Sequence, residues 1–191
     1  VSTVPQIFID ETRISGFDGL LEYFGKPKPR KNTTTYQPIV ALFSIGLLLA
    51  ITITWLKLDA IFNFKTIEWF ISISMVLLGL QKLMDLERFT TMFLSYDLLA
   101  QRWVRYSYIY PFVEAGAGLM MIAGVLTWIS APAAFFIASI GAVSVFKAVY
   151  VDRRDLKCAC VGGDSNVPLG FVSLTENLMM VGMAIWMITK T

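Results

Sequence analysis

Cys158-Ala159-Cys160, followed by Val161-Gly162-Gly163 and preceded by Arg153, Arg154 and Lys157, is the part of this chain best equipped for chemistry. Neighbouring cations favour a thiolate over a thiol, which makes a cysteine reactive near neutral pH. The two glycines relax the backbone for a sharp turn. A disulfide between residues two apart closes a small, strained ring, and strained, exposed disulfides exchange readily. Two soft thiolates can alternatively grip Cu(I) or zinc. That reading needs further ligands, and the nine methionines lie mostly in apolar runs where filling space is their ordinary use. A third reading gives the cysteines no role beyond the loop.

Glu114 and Glu176 are carboxylates inside apolar stretches, a costly placement that marks residues facing a bundle interior. Tyr106, Tyr110, Glu114 and Gly118 recur every four residues and share one helical stripe. At 1.5 Å per residue, Glu114 stands roughly 12 Å beyond Tyr106, and Glu176 about 10 Å beyond Leu169. The two acids are expected at one level just below the cysteine loop, where a carboxyl suits proton uptake during thiol exchange. The plainer alternative ties each carboxyl to a tyrosine hydroxyl or to Asn177 for packing alone.

The elements that must position these groups are membrane helices. The 191 residues are 56% hydrophobic and 16% charged, with a net charge of +2, two cysteines and no histidine. Without imidazole there is no Ser-His-Asp triad, Cys-His pair or histidine metal site. The scattered basic residues give no nucleic-acid footprint. No charged residue occurs from Asn32 to Leu56 or from Ala115 to Phe146. A bilayer core of about 30 Å takes roughly 20 apolar residues per helix. Five spans are expected, at about Pro38 to Leu56, Ile67 to Met84, Tyr108 to Ile129, Pro132 to Val151 and Leu169 to Thr189. Ser130-Ala131-Pro132 is expected to form the hairpin that splits the longest run.

Basic residues mark the cytoplasmic side. Lys26, Lys28, Arg30 and Lys31 precede the first span; Lys82, Arg88, Arg102 and Arg105 follow the second; Lys147, Arg153, Arg154 and Lys157 follow the fourth. The other side has Lys57, Lys65 and Lys190. This places the N-terminus and the cysteine loop in the cytoplasm, and the C-terminus outside, in a bacterial inner membrane with lipid around the bundle. Leu86, Phe89, Phe93, Tyr96, Ala100 and Trp103 return at helical spacing opposite Glu87, Arg88, Thr91, Ser95 and Arg102, which predicts an amphipathic surface helix. Asp97 lies at the edge of its apolar stripe, a solvated position for most acids and a candidate binding residue otherwise.

The first 37 residues hold no apolar core of secretory-signal length. Val4 to Ile9 reads as a strand, Glu11-Thr12-Arg13 as a turn, Phe17 to Phe24 as a short helix and Gly25 to Lys31 as a linker. Thr3-Val4-Pro5-Gln6-Ile7-Phe8-Ile9-Asp10 with Ile14-Ser15-Gly16-Phe17-Asp18-Gly19-Leu20 resembles the last third of a glutaredoxin. The resemblance implies a cis-proline loop at Val4 and Pro5, glutathione contacts at Gly16 and Asp18, and a Cys-x-x-Cys upstream of Val1. Ser15 and Gly19 depart from the usual Gly and Asp. The resemblance covers residues 1–25, with 26–37 a basic linker.

Tyr96-Asp97-Leu98-Leu99 through Arg102, Tyr106, Tyr110-Pro111 and Glu114, with Cys158-Ala159-Cys160 and its glycine beyond, resembles the MauE family, related to the DoxX-like bundles. This resemblance covers most of residues 38–191, taken as the bundle domain. The fold expected is therefore an all-α membrane helix bundle with a short α/β thioredoxin-fold remnant at its N-terminus. Family members of the methylamine-utilisation type assist maturation of methylamine dehydrogenase through disulfide formation. The resemblance thus implies a membrane thiol-disulfide partner. Its candidate catalytic residues are Cys158, Cys160, Glu114 and Glu176, and its candidate binding residues are Asp97, Tyr106 and Tyr110. The redox partner is another protein or the chain's own upstream glutaredoxin portion. Cofactor candidates are glutathione and a quinone, with no metal. The alternative is a binding or transport module for a small hydrophobic molecule, quinone or metal.

Overall fold

The computed structural model describes residues 6–9, 12–15, 20, 21, 23–25, 36–59, 63–154, 156, 158 and 167–190. The chain divides into two compact units, Val1–Thr33 and Thr34–Thr191. In the first, β1 (Gln6–Ile9) pairs antiparallel with β2 (Thr12–Ser15), with Gln6 opposite Ser15 and Ile9 opposite Thr12. The segment expected to turn at Thr12-Arg13 is thus a strand. Two four-residue strands do not amount to a thioredoxin-type fold, and Val4, Pro5, Gly16 and Asp18 lie outside the described residues.

The second unit is helical, with no strand among its described residues. Its elements are α1 (Gln37–Leu58), α2 (Phe64–Met84), the short α3 (Leu86–Leu94), α4 (Val104–Ala123), α5 (Thr127–Phe146) and α6 (Phe171–Lys190). A π-turn at Lys147–Val151 prolongs α5, where the Asp152 N–H reaches back to the Lys147 carbonyl. Four segments, Gln37–Leu58, Phe64–Met84, Thr127–Val151 and Phe171–Lys190, are long and apolar enough to cross a membrane. Helix α4 has 20 residues and is about 30 Å long. Arg105, Glu114 and the tyrosines at 106, 108 and 110 make it more polar than those four.

Helix ends follow local rules. Asn63 and Thr66 form a reciprocal capping box that starts α2. Gly124, at φ +68°, ends α4; its N–H and that of Val125 reach the carbonyls of Met121 and Met120. The break in the long apolar run is therefore at Gly124, not at Ser130-Ala131-Pro132 as expected. Pro132 is the sixth residue of α5, beyond the first turn, and Ser130 and Ala131 are buried. A left-handed glycine stops a helix; a proline lacking one N–H only bends it when neighbouring turns hold.

Helix α4 lies along α2, and α6 along α5. Small residues allow these approaches. A Cβ on Gly118 would sit 2.8 Å from the Ser72 carbonyl oxygen, and one on Gly79 would sit 2.9 Å from the Ala115 Cβ. On α5 the buried stripe is Ala131, Ala134, Ala138, Gly141 and Val145, with Ala148 beyond. The expected amphipathic helix stops at Leu94 rather than running to Trp103; its apolar residues Phe89 and Phe93 are buried against the bundle.

Candidate functional site

Lys82 joins the two intramembrane carboxylates. Its Nζ lies 2.7 and 2.6 Å from the two carboxylate oxygens of Glu114 and 3.1 Å from Glu176 Oε1. All three side chains are buried, Glu114 completely. Lys82 occupies the last turn of α2, Glu114 the middle of α4 and Glu176 the second turn of α6. The three helices meet here because α2 ends where α6 begins, and the lysine arm reaches from its own helix end to Glu114 in mid-helix. Both acids accept from Lys82, and the Asn177 Nδ2 bonds the Ser173 carbonyl instead, at 2.7 Å.

Lys82 had counted as a basic residue flanking a span; it is instead a core residue. Its sequence signal was available: Met75, Leu78 and Lys82 share the buried stripe of α2, and two buried acids call for a cation. One ammonium stands against two carboxyl groups, so the cluster is electrically neutral when it carries one shared proton.

Aromatic rings wall this site. Lys82 Nζ lies 5.2 Å from the centre of the Tyr110 ring. Tyr110 packs on Phe93 at 4.9 Å and on Tyr106 at 5.9 Å between ring centres. Tyr106, Tyr110 and Glu114 lie on one buried stripe of α4. The Tyr106 hydroxyl has no hydrogen-bond partner among the described residues.

Asp97 is fully buried rather than solvated at an edge. Its Oδ1 accepts the N–H groups of Leu99 at 3.0 Å and Ala100 at 2.8 Å, folding the turn that follows α3. The neighbouring Leu98 N–H bonds the Ser144 hydroxyl of α5 at 3.0 Å. Burial pushes the Asp97 carboxyl above its ordinary 3.8, against the lowering pull of Ala100, Ser144 and Leu99. The amphipathic pattern missed this because it assigned helix where an Asx-type turn stands.

The cysteine loop is pinned at its base. Cys158 donates its N–H to the Val167 carbonyl at 2.8 Å, and Leu169 donates to Leu156 at 2.7 Å. Cys160 lies outside the described residues. Cys158 is 2% exposed, packed with Ile39, Leu42, Leu78 and Val167. Its sulfur lies 3.0 Å from the Ser173 hydroxyl in the first turn of α6. Glu176 follows Ser173 by three residues on the same buried face. The sulfur and the hydroxyl thus stand one helical turn from Glu176, which Lys82 joins to Glu114.

A second charged group ties the opposite ends of α2 and α6. Glu68, buried, accepts from Trp186 Nε1 at 2.8 Å and Lys190 Nζ at 3.1 Å, and pairs with Lys65. Among the described residues no three His, Cys, Asp or Glu side chains are grouped to hold a metal.

Long apolar helices enclosing a paired charge cluster define an integral membrane protein with a polar core. The family model described as "Methylamine utilisation protein MauE" matches residues 59–190, and the chain belongs to that family. No curated protein and no solved structure gives a match.

Proposed function

We propose that this MauE-family protein is a membrane thiol-disulfide partner in which Cys160 meets the partner and Cys158 resolves. The observation that carries this reading is the buried Cys158 sulfur, 3.0 Å from Ser173, on the helix that holds Glu176 against Lys82. A sulfur sealed from water cannot receive a protein disulfide, but it can attack a sulfur two residues away. The positive end of the α6 dipole favours its thiolate.

The exchange balances as follows. The Cys160 thiolate attacks one sulfur of a partner disulfide, forms a mixed disulfide and expels the second partner sulfur as thiolate. Cys158 then gives its proton through the Ser173 hydroxyl to the carboxyl cluster and attacks Cys160 Sγ. The remaining partner thiolate leaves. Two electrons pass from the pair to the partner, the chain holds a Cys158–Cys160 disulfide, and the cluster holds the proton. The reverse sequence oxidises a partner dithiol.

The partner class is a glutaredoxin-like thiol protein, supported by the two motifs between Thr3 and Leu20. Family membership supports service to methylamine dehydrogenase maturation. Basic residues at 88, 102, 105, 147, 153, 154 and 157 support a cytoplasmic cysteine loop, with α4 as a fifth crossing, the N-terminus inside and the C-terminus outside. Buried Lys82 drops out of that count without changing its sign.

Trapping tests the order of attack. In membranes, Cys158→Ser should accumulate a mixed disulfide on Cys160, visible on non-reducing gels, and Cys160→Ser should not. Accumulation only in Cys160→Ser reverses the assignment; none in either ends the relay.

A further inference from the structure

Between the turn after α3 and the last three turns of α5 lies a cleft of about 720 Å³ that the thiol chemistry does not use. Arg102 and Lys147 both line it, Lys147 where the π-turn begins, and neither has an ion-pair partner among the described residues. From Lys147 the wall runs along α5 through Val143 and Ile140 to Ser139, eight residues or about 12 Å toward the middle of that helix. Leu98 completes the apolar side.

Among the described residues no carboxylate lines the cleft. Asp97, the acid of the adjoining turn, directs Oδ1 inward to backbone N–H groups. Arg154 reaches the Ser95 carbonyl at 2.8 Å, which fastens the turn to the chain beyond α5 and adds positive charge at the same end. The lining is thus amphipathic: two cations, Lys147 at the helix end, and a hydrocarbon wall that runs from there along α5. A neutral ring would leave the cations uncompensated, and a small soluble anion would leave the wall unused.

We propose that this cleft is a binding site for an anionic phospholipid, its phosphate between Arg102 and Lys147 and one acyl chain along Val143 and Ile140. Each such cation contributes about fivefold to association with an acidic lipid. The full chain, purified in a neutral detergent, is titrated with phosphatidylglycerol and with phosphatidylcholine, bound lipid being counted by native mass spectrometry. The wild type should prefer phosphatidylglycerol. Arg102→Gln with Lys147→Gln should reduce that preference by roughly 25-fold, and Arg102→Lys with Lys147→Arg should keep it. Both residues are exposed, so folding should be unchanged. Equal binding of the two lipids by the wild type overturns the proposal. So does an undiminished preference in the glutamine variant. Displacement of the lipid by free glycerol phosphate at similar concentration overturns it too, because the acyl wall then contributes nothing.

Discussion

Removing the ammonium from the carboxyl cluster is the severest single test of the bundle's polar core. Lys82→Met keeps the length and much of the volume of the side chain but leaves Glu114 and Glu176 facing each other without a cation. Three contacts of 2.6 to 3.1 Å disappear at once. Stranding a buried charge by deleting its partner costs about 3 to 5 kcal/mol. For a chain of this size that corresponds to a fall of roughly 6–20 °C in the thermal midpoint. The assay is thermal unfolding in detergent, followed by tryptophan fluorescence. Replacing the whole cluster (Lys82→Met, Glu114→Gln, Glu176→Gln) should recover most of the loss, since no lone ion then remains. Double-mutant cycles should give Lys82–Glu114, with both oxygens in contact, a larger coupling than Lys82–Glu176, with one. A loss below about 1 kcal/mol for Lys82→Met, within the range of an exposed pair, would refute the buried-cluster reasoning.

Three further outcomes follow from the geometry. Gly118→Ala should destabilise by about 1 to 3 kcal/mol in the same unfolding assay, because its Cβ meets backbone oxygen of α2 at 2.8 Å and neither helix can yield locally. Asp97 binds its proton more tightly folded than unfolded, so its contribution is complete below the unfolded value near 3.8 and is lost as pH rises through the raised folded value. Stability of the wild type measured across that window should therefore fall with rising pH, while Asp97→Asn, which keeps an oxygen for Leu99 and Ala100, should flatten that component. Glu68→Gln should cost no more than about 1 kcal/mol, since Lys65 and Lys190 are 44% and 55% exposed and solvent screens them.

The apolar runs located most of the helices, because a membrane segment announces itself by length and lack of charge alone. The four-residue recurrence of Tyr106, Tyr110 and Glu114 likewise needs no tertiary information. The partner of the acids was harder to see: a lysine in the last turn of a span reads as a flanking charge until the packing of α2, α4 and α6 turns it inward. The break at Gly124 was hidden behind Pro132, since proline is the louder signal and a left-handed glycine cap shows only through its two hydrogen bonds. Asp97 was misjudged for a related reason. Helical periodicity continues through residues 96 to 103, yet the carboxylate closes a turn there and takes the chain out of register. Burial of Cys158 was unreadable because it depends on Ile39 and Leu42, more than a hundred residues away.

The central claim, that the cysteine pair exchanges its proton with the carboxyl cluster, is tested most directly by redox titration of the full chain. The oxidised fraction of Cys158 and Cys160 is measured by alkylation against dithiothreitol buffers at several pH values, in the wild type and in Glu176→Gln. The account predicts that the pH dependence of the midpoint differs between the two, because Glu176→Gln removes one proton-binding group from the coupled set. Superimposable pH profiles in a folded variant would contradict it.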